Sequence, residues 1–134
     1  MTTAIEYGDL ELWAATYLRT GLAAWSAKVG REFPAPDATF TYAAVVRDDS
    51  GPDHQFTASR LLAVTVIGPA GAHQSTRAVA ERAAALLRVC AVPGASSPVA
   101  ACRTVRGPYS VPDAGRPEFF MTADLIVVGS PITL

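Results

Sequence analysis

The side chains of this sequence that could do chemistry are few, and the most suggestive pair among them is Asp53 next to His54. A carboxylate beside an imidazole suits general acid–base catalysis or a metal site. No third ligand follows at a known spacing, and the second histidine, His73, lies in a separate stretch. We interpret Asp53 and His54 as loop residues and keep, as an alternative, a small ligand-binding or enzymatic domain that uses them.

The acidic residues and the cysteines also lack the spacing of known sites. Asp48, Asp49 and Asp53 do not follow the ligand pattern of a calcium loop and lack its closing glutamate. Cys90 and Cys102 match no zinc motif and make no disulfide framework, so we interpret both as reduced thiols. No glycine-rich phosphate loop is present. The sequence therefore predicts no catalytic residue, no cofactor and no metal, and a protein that is not an enzyme.

Composition favours one globular domain that makes contacts with other protein subunits. The 134 residues suit one domain, residues 1–134, which needs no metal or disulfide to fold. Half of the residues are hydrophobic and 17% are charged, and surplus apolar surface on a small domain is often covered by subunit contacts. Eleven basic and twelve acidic residues leave a net charge of −1, so we expect no sequence-specific nucleic-acid binding.

Targeting signals are not evident in the sequence. Residues 1–9 lack the basic start and apolar core of a secretory signal. No apolar run approaches the ~20 residues that a membrane span needs. We expect a protein made in the cytoplasm that has no membrane partner.

Two stretches have the apolar spacing of helices. The first covers residues 9–20, with Asp9 as its cap and Gly21 as its end. The second is rich in alanine and is expected to start at a cap formed by Ser75 or Thr76. Its predicted buried stripe is Val79, Ala83, Leu86, Leu87 and Cys90.

Five further stretches have the pattern of strands. They cover residues 25–33, 39–47, 59–67, 99–106 and 118–128. The third is apolar at nearly every position, which predicts a central strand covered on both faces. The whole pattern predicts an α+β fold in the order α-β-β-β-α-β-β, with two helices packed on a mixed or antiparallel sheet. Two long loops, 47–58 and 106–116, complete it, and long loops on a small domain usually have a functional reason.

Six stretches of this order resemble the tail terminator proteins (minor tail or tail-completion proteins) of long-tailed actinobacterial phages. They are "DLELWAATYLR", "KVGREFPAP", "FTYAAVVRDDSG", "RLLAVTVIGP", "STRAVAERAAALLR" and "RGPYSVPDAGRPEFFMTADLIVVG". The resemblance covers residues 9–129. It departs at Ile67-Gly68, where such proteins often carry Trp-Ala before the helix.

The resemblance implies structural work in a virion. Proteins of this type form a ring, usually of six copies, on the finished tail tube, stop its polymerisation and contact the head connector. The implied partners are further copies of the chain, the tail tube protein and the connector or stopper protein, with DNA passing through the lumen. The implied location is the head-proximal end of the tail, after assembly in the host cytoplasm. Another connector ring protein, a stopper or neck protein, is the alternative.

Interface residues are expected on the two long loops. Loop length and charge select residues for polar contacts or for lining the lumen, and no motif specifies them. The predicted set is Arg47, Asp48, Asp49, Asp53, Arg106, Pro108, Tyr109 and Arg116.

Overall fold

The fold is that of a computed structural model, which describes residues 3–33, 41–53, 57–91, 97–112 and 115–133. In chain order its elements are β1 (Thr3–Glu6), α1 (Leu10–Gly21), β2 (Lys28–Gly30), β3 (Ala43–Asp48), β4 (Thr57–Ile67), α2 (His73–Arg88), β5 (Val99–Ser110), β6 (Glu118–Val128) and β7 (Ser130–Thr133). The predicted α+β class and the order α-β-β-β-α-β-β are confirmed. Strands β1 and β7, at the two ends of that order, were not predicted.

A five-stranded sheet with the order β2-β3-β4-β6-β5 forms one layer of the fold. Strand β2 is parallel to β3, and the other neighbouring pairs are antiparallel, so the sheet is mixed. Strand β4 is central, as predicted. It pairs with β6 over its full length, from Thr57 opposite Val128 to Ile67 opposite Glu118.

Alternation along the strands separates two faces of this sheet. On the inner face Leu62, Val64 and Val66 of β4 lie beside Met121 and Leu125 of β6, and all five are fully buried. Helices α1 and α2 pack on this face and belong to the same core cluster. We call the opposite face the outer face. No helix among the described residues packs on it. The predicted burial of β4 on both faces is confirmed for Ala63 and Ile67, whereas Leu61 and Thr65 are half-buried.

Small side chains let the helices approach the sheet and each other closely. The buried helix residues include Ala14 and Ala15 of α1, and Ala80, Ala83 and Ala84 of α2. At the end of α1, a Cβ added to Gly21 would lie 2.3 Å from Cδ1 of Leu86, so only glycine fits beside α2 there without a shift.

One helix start was predicted correctly and the other was not. Asp9 caps α1, because its carboxylate accepts a hydrogen bond from the Leu12 amide at 3.0 Å. Helix α2 begins at His73, earlier than expected, and the Ser75 and Thr76 hydroxyls donate to the Ala72 carbonyl instead of capping. A turn closed by the Ala72 amide and the Pro69 carbonyl starts the helix before those hydroxyls are reached.

Strand ends differ from the predictions where the backbone bends. The strand predicted over 25–33 is only Lys28–Gly30, because a 3-10 turn, Ala23–Trp25, is followed by Ser26 at a φ of 51°. The strand predicted over 39–47 is observed as Ala43–Asp48, and residues 34–40 lie outside the described residues. The last predicted strand, 118–128, matches β6.

Strands β1 and β7 form a separate two-stranded antiparallel sheet. Gly129 alone separates β6 from β7, and a Cβ there would lie 2.3 Å from Cγ2 of Ile5. The chain therefore turns out of the main sheet at a point where β1 crosses closely. Four-residue strands, one containing Pro131, carry too short an alternation to be predicted from sequence.

Leu61 and Leu62 are adjacent on β4 and point to opposite faces of the sheet. Their alanine variants therefore test the assignment of faces. We expect Leu62→Ala to lower the free energy of unfolding by about 2–5 kcal/mol, because it opens a cavity in the inner-face core. Leu61→Ala is the matched control and should cost less than about 1 kcal/mol, because Leu61 is only half-buried on the outer face. Urea denaturation measures both. Equal losses would contradict the assignment.

Candidate subunit interface

The outer face carries apolar residues between polar ones, and no helix among the described residues lies on it. Strand pairing places these apolar residues on it: Ala43, Val45, Leu61, Ala63, Ile67, Phe120, Ile126 and Val128. An antiparallel sheet with one solvated face normally alternates between apolar and polar residues. Here Phe120 and Val128 remain 37% and 49% exposed, and Tyr109 of β5, opposite Phe120, is 57% exposed. The face therefore exposes large apolar side chains among polar ones, a mixture that is typical of contact surfaces.

A shallow cleft marks the outer face near the β3–β4 end. It encloses about 270 Å³, is floored by Val45, Ala63 and Thr65, and is flanked by Phe33 and Phe120. Arg47 and Asp49 line the same cleft. Two of the predicted interface residues therefore lie beside exposed aromatic rings, which is the mixture of anchors and polar contacts found in protein interfaces.

The other two outer-face members of the predicted set lie on β5. The loop predicted over 106–116 is in part a strand, because pairing with β6 continues to Ser110, opposite Phe119. Register shifts and a cis peptide bond between Gly107 and Pro108 fit this segment into the ladder. Arg106 pairs with Thr122 and Tyr109 with Phe120, which puts both on the outer face.

Asp48 and Asp53 lie elsewhere, around the largely buried side chain of Arg60. Because side chains alternate, Asp48 points to the inner face while its neighbour Arg47 points outward. The Arg60 guanidinium lies 2.9 Å from Asp53 and 4.0 Å from Asp48, and it stacks over the ring of Tyr7. These contacts account for both carboxylates within one chain, and their role in an interface stays a prediction.

The same region ties the β3–β4 loop to α1 and to β4. The Asp48 amide donates to the Glu11 carboxylate at 2.8 Å, and the Ser50 amide donates to the Asp48 carboxylate at 2.7 Å. Arg60 also donates to the carbonyl of Gly51 at 3.1 Å. The loop is therefore anchored at its base, and Asp49 is left to face the outer cleft.

Arg116 is used within the chain as well. Its Nε donates to the Gly68 carbonyl at 2.8 Å, so it joins the β5–β6 connection to the end of β4. Of the eight predicted interface residues, the structure thus brings Arg47, Asp49, Arg106 and Tyr109 to the outer face. Phe33, Phe120 and Val128 were not predicted, although Phe120 and Val128 stand out as apolar residues on the otherwise polar side of residues 118–128.

A second apolar surface lies between the helices, on the opposite side of the molecule. This helix groove encloses about 390 Å³ and is lined by Trp13, Thr16, Tyr17, Thr20, Gly21 and Leu86. The rings of Trp13 and Tyr17 stack with centroids 5.2 Å apart. The Tyr17 hydroxyl donates to the Leu86 carbonyl at 2.6 Å, and burial raises the pKa of Tyr17. The groove therefore offers apolar contact area with its polar atom already satisfied.

The described part of the chain offers no metal site as an alternative to these surfaces. Among residues 3–33, 41–53, 57–91, 97–112 and 115–133, no three histidine, cysteine, aspartate or glutamate side chains come together as metal ligands would. His73 packs against Phe119, with ring centroids 5.1 Å apart. His54, the other half of the Asp53–His54 pair, lies outside the described residues.

The chain matches no family model and no curated protein. Within the described residues, no helix has the length and apolarity to span a membrane.

Arg60 of β4 has a largely buried side chain, whereas Arg47 of β3 is exposed. Their alanine variants test which of the two charges supports the fold. We expect Arg60→Ala to lower the free energy of unfolding by about 1–3 kcal/mol, because it removes hydrogen bonds to carboxylates and carbonyls. The pair with the exposed Asp53 contributes little to this loss, since solvent screens it. Arg47→Ala, the control on the outer face, should change it by less than about 0.5 kcal/mol. Urea denaturation of both variants checks this, and a loss at Arg47 as large as at Arg60 would refute it.

Proposed function

We propose that this protein is a tail terminator of a long-tailed phage, a structural subunit that forms a ring, usually of six copies, on the end of the tail tube. In this role it stops tube polymerisation and presents a surface to the head connector. Its partners are copies of itself, the tail tube protein and the connector.

The observation that carries the proposal is the set of large apolar side chains left exposed on the outer face, Phe120, Val128 and Tyr109. A sheet packed on one side by helices needs only polar residues on the other, yet these three lie there beside Thr122 and Asp124. Exposed apolar patches with a polar rim are typical of protein–protein contact sites. The rim here consists of Arg47 and Asp49 at one end and Arg106 at another.

Contact through the faces of the sheet is favoured over contact through its edge. Strand β5 is a long edge strand, and exposed edges invite pairing with other chains. Register shifts interrupt this strand, and Arg103, Arg106 and Pro108 lie along it. Bulges, charges and proline are the usual devices that keep an edge unpaired.

A closed ring needs two different patches on each subunit, because each copy meets its two neighbours through opposite flanks. The outer face is one such patch. The helix groove around Trp13 and Tyr17, on the far side of the helix layer, is the second candidate. The net charge of −1 is compatible with a ring whose lumen passes DNA without holding it.

The oligomeric state and the affinity for tube ends test the proposal. Light scattering after size exclusion gives the copy number, and negative-stain microscopy with tail tubes of the same virus shows whether the protein sits on tube ends. Rings, either free or only at tube ends, are expected. Binding to the connector and not to tubes would favour a stopper protein, and a monomer that ignores both would overturn the proposal.

Phe120 is the side chain whose loss should impair assembly most on the outer face. We expect Phe120→Asp to weaken ring formation or tube capping at least about tenfold, since it puts a charge into a desolvated contact while leaving the inner core untouched. Ile132→Asp is the matched control, because Ile132 has the same 37% exposure and lies on β7, outside both the outer face and the helix groove. Capping is scored by the fraction of tube ends occupied. Equal capping by the two variants would remove the outer face from the interface.

A further inference from the structure

The apolar surface on the helix layer extends beyond the helix groove. Val89 lies three residues after Leu86 of the groove, and Arg82 lies four residues before it, so both border the groove on the side of α2. Val89 is 62% exposed. The groove is therefore continued by a large apolar side chain at one end and flanked by a cation at the other.

The hydroxyl groups of the groove are already used within the chain. The Tyr17 hydroxyl donates to the Leu86 carbonyl. The Thr16 hydroxyl donates to the Leu12 carbonyl at 3.0 Å, and the Thr20 hydroxyl donates to the Thr16 carbonyl at 3.1 Å. Because these three hydroxyl protons are occupied, the groove favours an apolar side chain of a partner over a hydrogen-bond acceptor.

Two neighbouring residues of α2 carry opposite charges beside the groove. The Arg82 guanidinium lies 5.3 Å from the ring centroid of Trp25 and forms no ion pair with any described residue. Glu81 pairs with Arg77 at 3.8 Å, and both side chains are well exposed, so this pair contributes little. The helix side thus offers a partner one cation and one weakly paired anion.

The outer face offers the same combination. Arg47 and Asp49 line the outer cleft and are exposed, and neither forms an ion pair within the described part of the chain. Phe120 flanks that cleft and is 37% exposed. The outer face therefore presents an aromatic ring beside two opposite charges, and the helix side presents an apolar groove beside two opposite charges.

We propose that the outer face of one copy of this chain docks on the helix groove of the next copy. Phe120 enters the groove, Asp49 pairs with Arg82 of the neighbouring copy, and Arg47 pairs with Glu81 of the neighbouring copy. The proposal rests on the proposed function, because it names the contact between subunits of the ring. Complementary charges select a second copy as the occupant, and a contact between two different patches is the kind that a closed ring requires.

The spacing of the charges on the two surfaces allows both pairs to form together. Arg47 and Asp49 are two residues apart on an extended chain, with about 6–7 Å between their Cα atoms, and the Asp49 amide still donates to the Leu61 carbonyl of β4. Glu81 and Arg82 are consecutive on a helix, where side chains diverge by about 100°. The long side chains of Arg47, Glu81 and Arg82 span the remaining difference.

The apolar and the charged parts of this contact have different roles. Burial of Phe120 in the groove supplies affinity, since aromatic anchors in pockets dominate most interfaces. Exposed ion pairs add little affinity of their own, but like charges placed opposite each other are costly. The charge pairs therefore decide which surface of the neighbour is accepted and in which orientation.

Reversal of one charge should break the contact, and reversal of its partner should restore it. We expect Asp49→Arg and Arg82→Glu each to weaken association at least about tenfold, because each variant places like charges together. The double variant should return to within about threefold of the wild type. Sedimentation equilibrium of the full chain measures association, and thermal melting confirms that each variant is folded.

Arg88→Glu is the matched control for the charge change on α2. Arg88 is exposed and lies two residues after Leu86, so it does not share the groove side of the helix. It should leave association unchanged and should not restore Asp49→Arg. A double variant that stays as weak as Asp49→Arg, or a dimer that Arg82→Glu leaves intact, would overturn the proposed contact. The second result would assign the outer face to a two-fold contact with itself.

Occupancy of tube ends, scored on the same variants, separates this contact from the proposed function. If the reversals act and are rescued in the free chain while tube ends stay bare, the proposed function fails and the contact stands. If tube ends are capped and neither reversal changes capping, the contact fails and the proposed function stands. A chain that neither associates nor caps tubes overturns both.

Discussion

Side-chain alternation along β4 and β6 is the constraint on which the rest of the structure depends. A strand presents every second residue to each side, so the run that supplies Leu62 and Val64 to the helix-covered core must place Leu61 and Ala63 on the other side. The inner set is mostly apolar and is buried by α1 and α2. The outer set mixes apolar residues with Ser59, Thr65 and Asp124, and it leaves Phe120 and Val128 exposed.

The helix layer is continuous because the two helices meet closely. Helix α1 lies over β2 and β3, whereas α2 lies over β4, β5 and β6. Gly21 of α1 packs against Leu86 of α2, and the Tyr17 hydroxyl donates a hydrogen bond to the Leu86 carbonyl. The two helices therefore contact each other at Leu86. The inner face is thereby buried within the chain, and exposed apolar side chains remain on the outer face and in the helix groove.

The same alternation divides neighbouring charges between structural and exposed roles. Arg47 and Asp48 are adjacent in sequence, yet one faces the outer cleft and the other faces Arg60 and the α1 side. The β3–β4 loop is held at its base by Asp48 and Arg60, while Asp49 stays on the outer side. A loop that is held in place at its base is preorganised, and preorganisation favours binding at a contact surface.

The sequence by itself determined the class, the order of elements and the helix cap at Asp9, because periodicity and capping are local properties of the chain. Only the tertiary structure decided which face of the sheet the helices leave free, that Asp48 and Asp53 pair with Arg60, and that β5 extends through Gly107 and Pro108. These features depend on strand register and on helix placement. Both are set by packing between residues far apart in the chain, which no local pattern records.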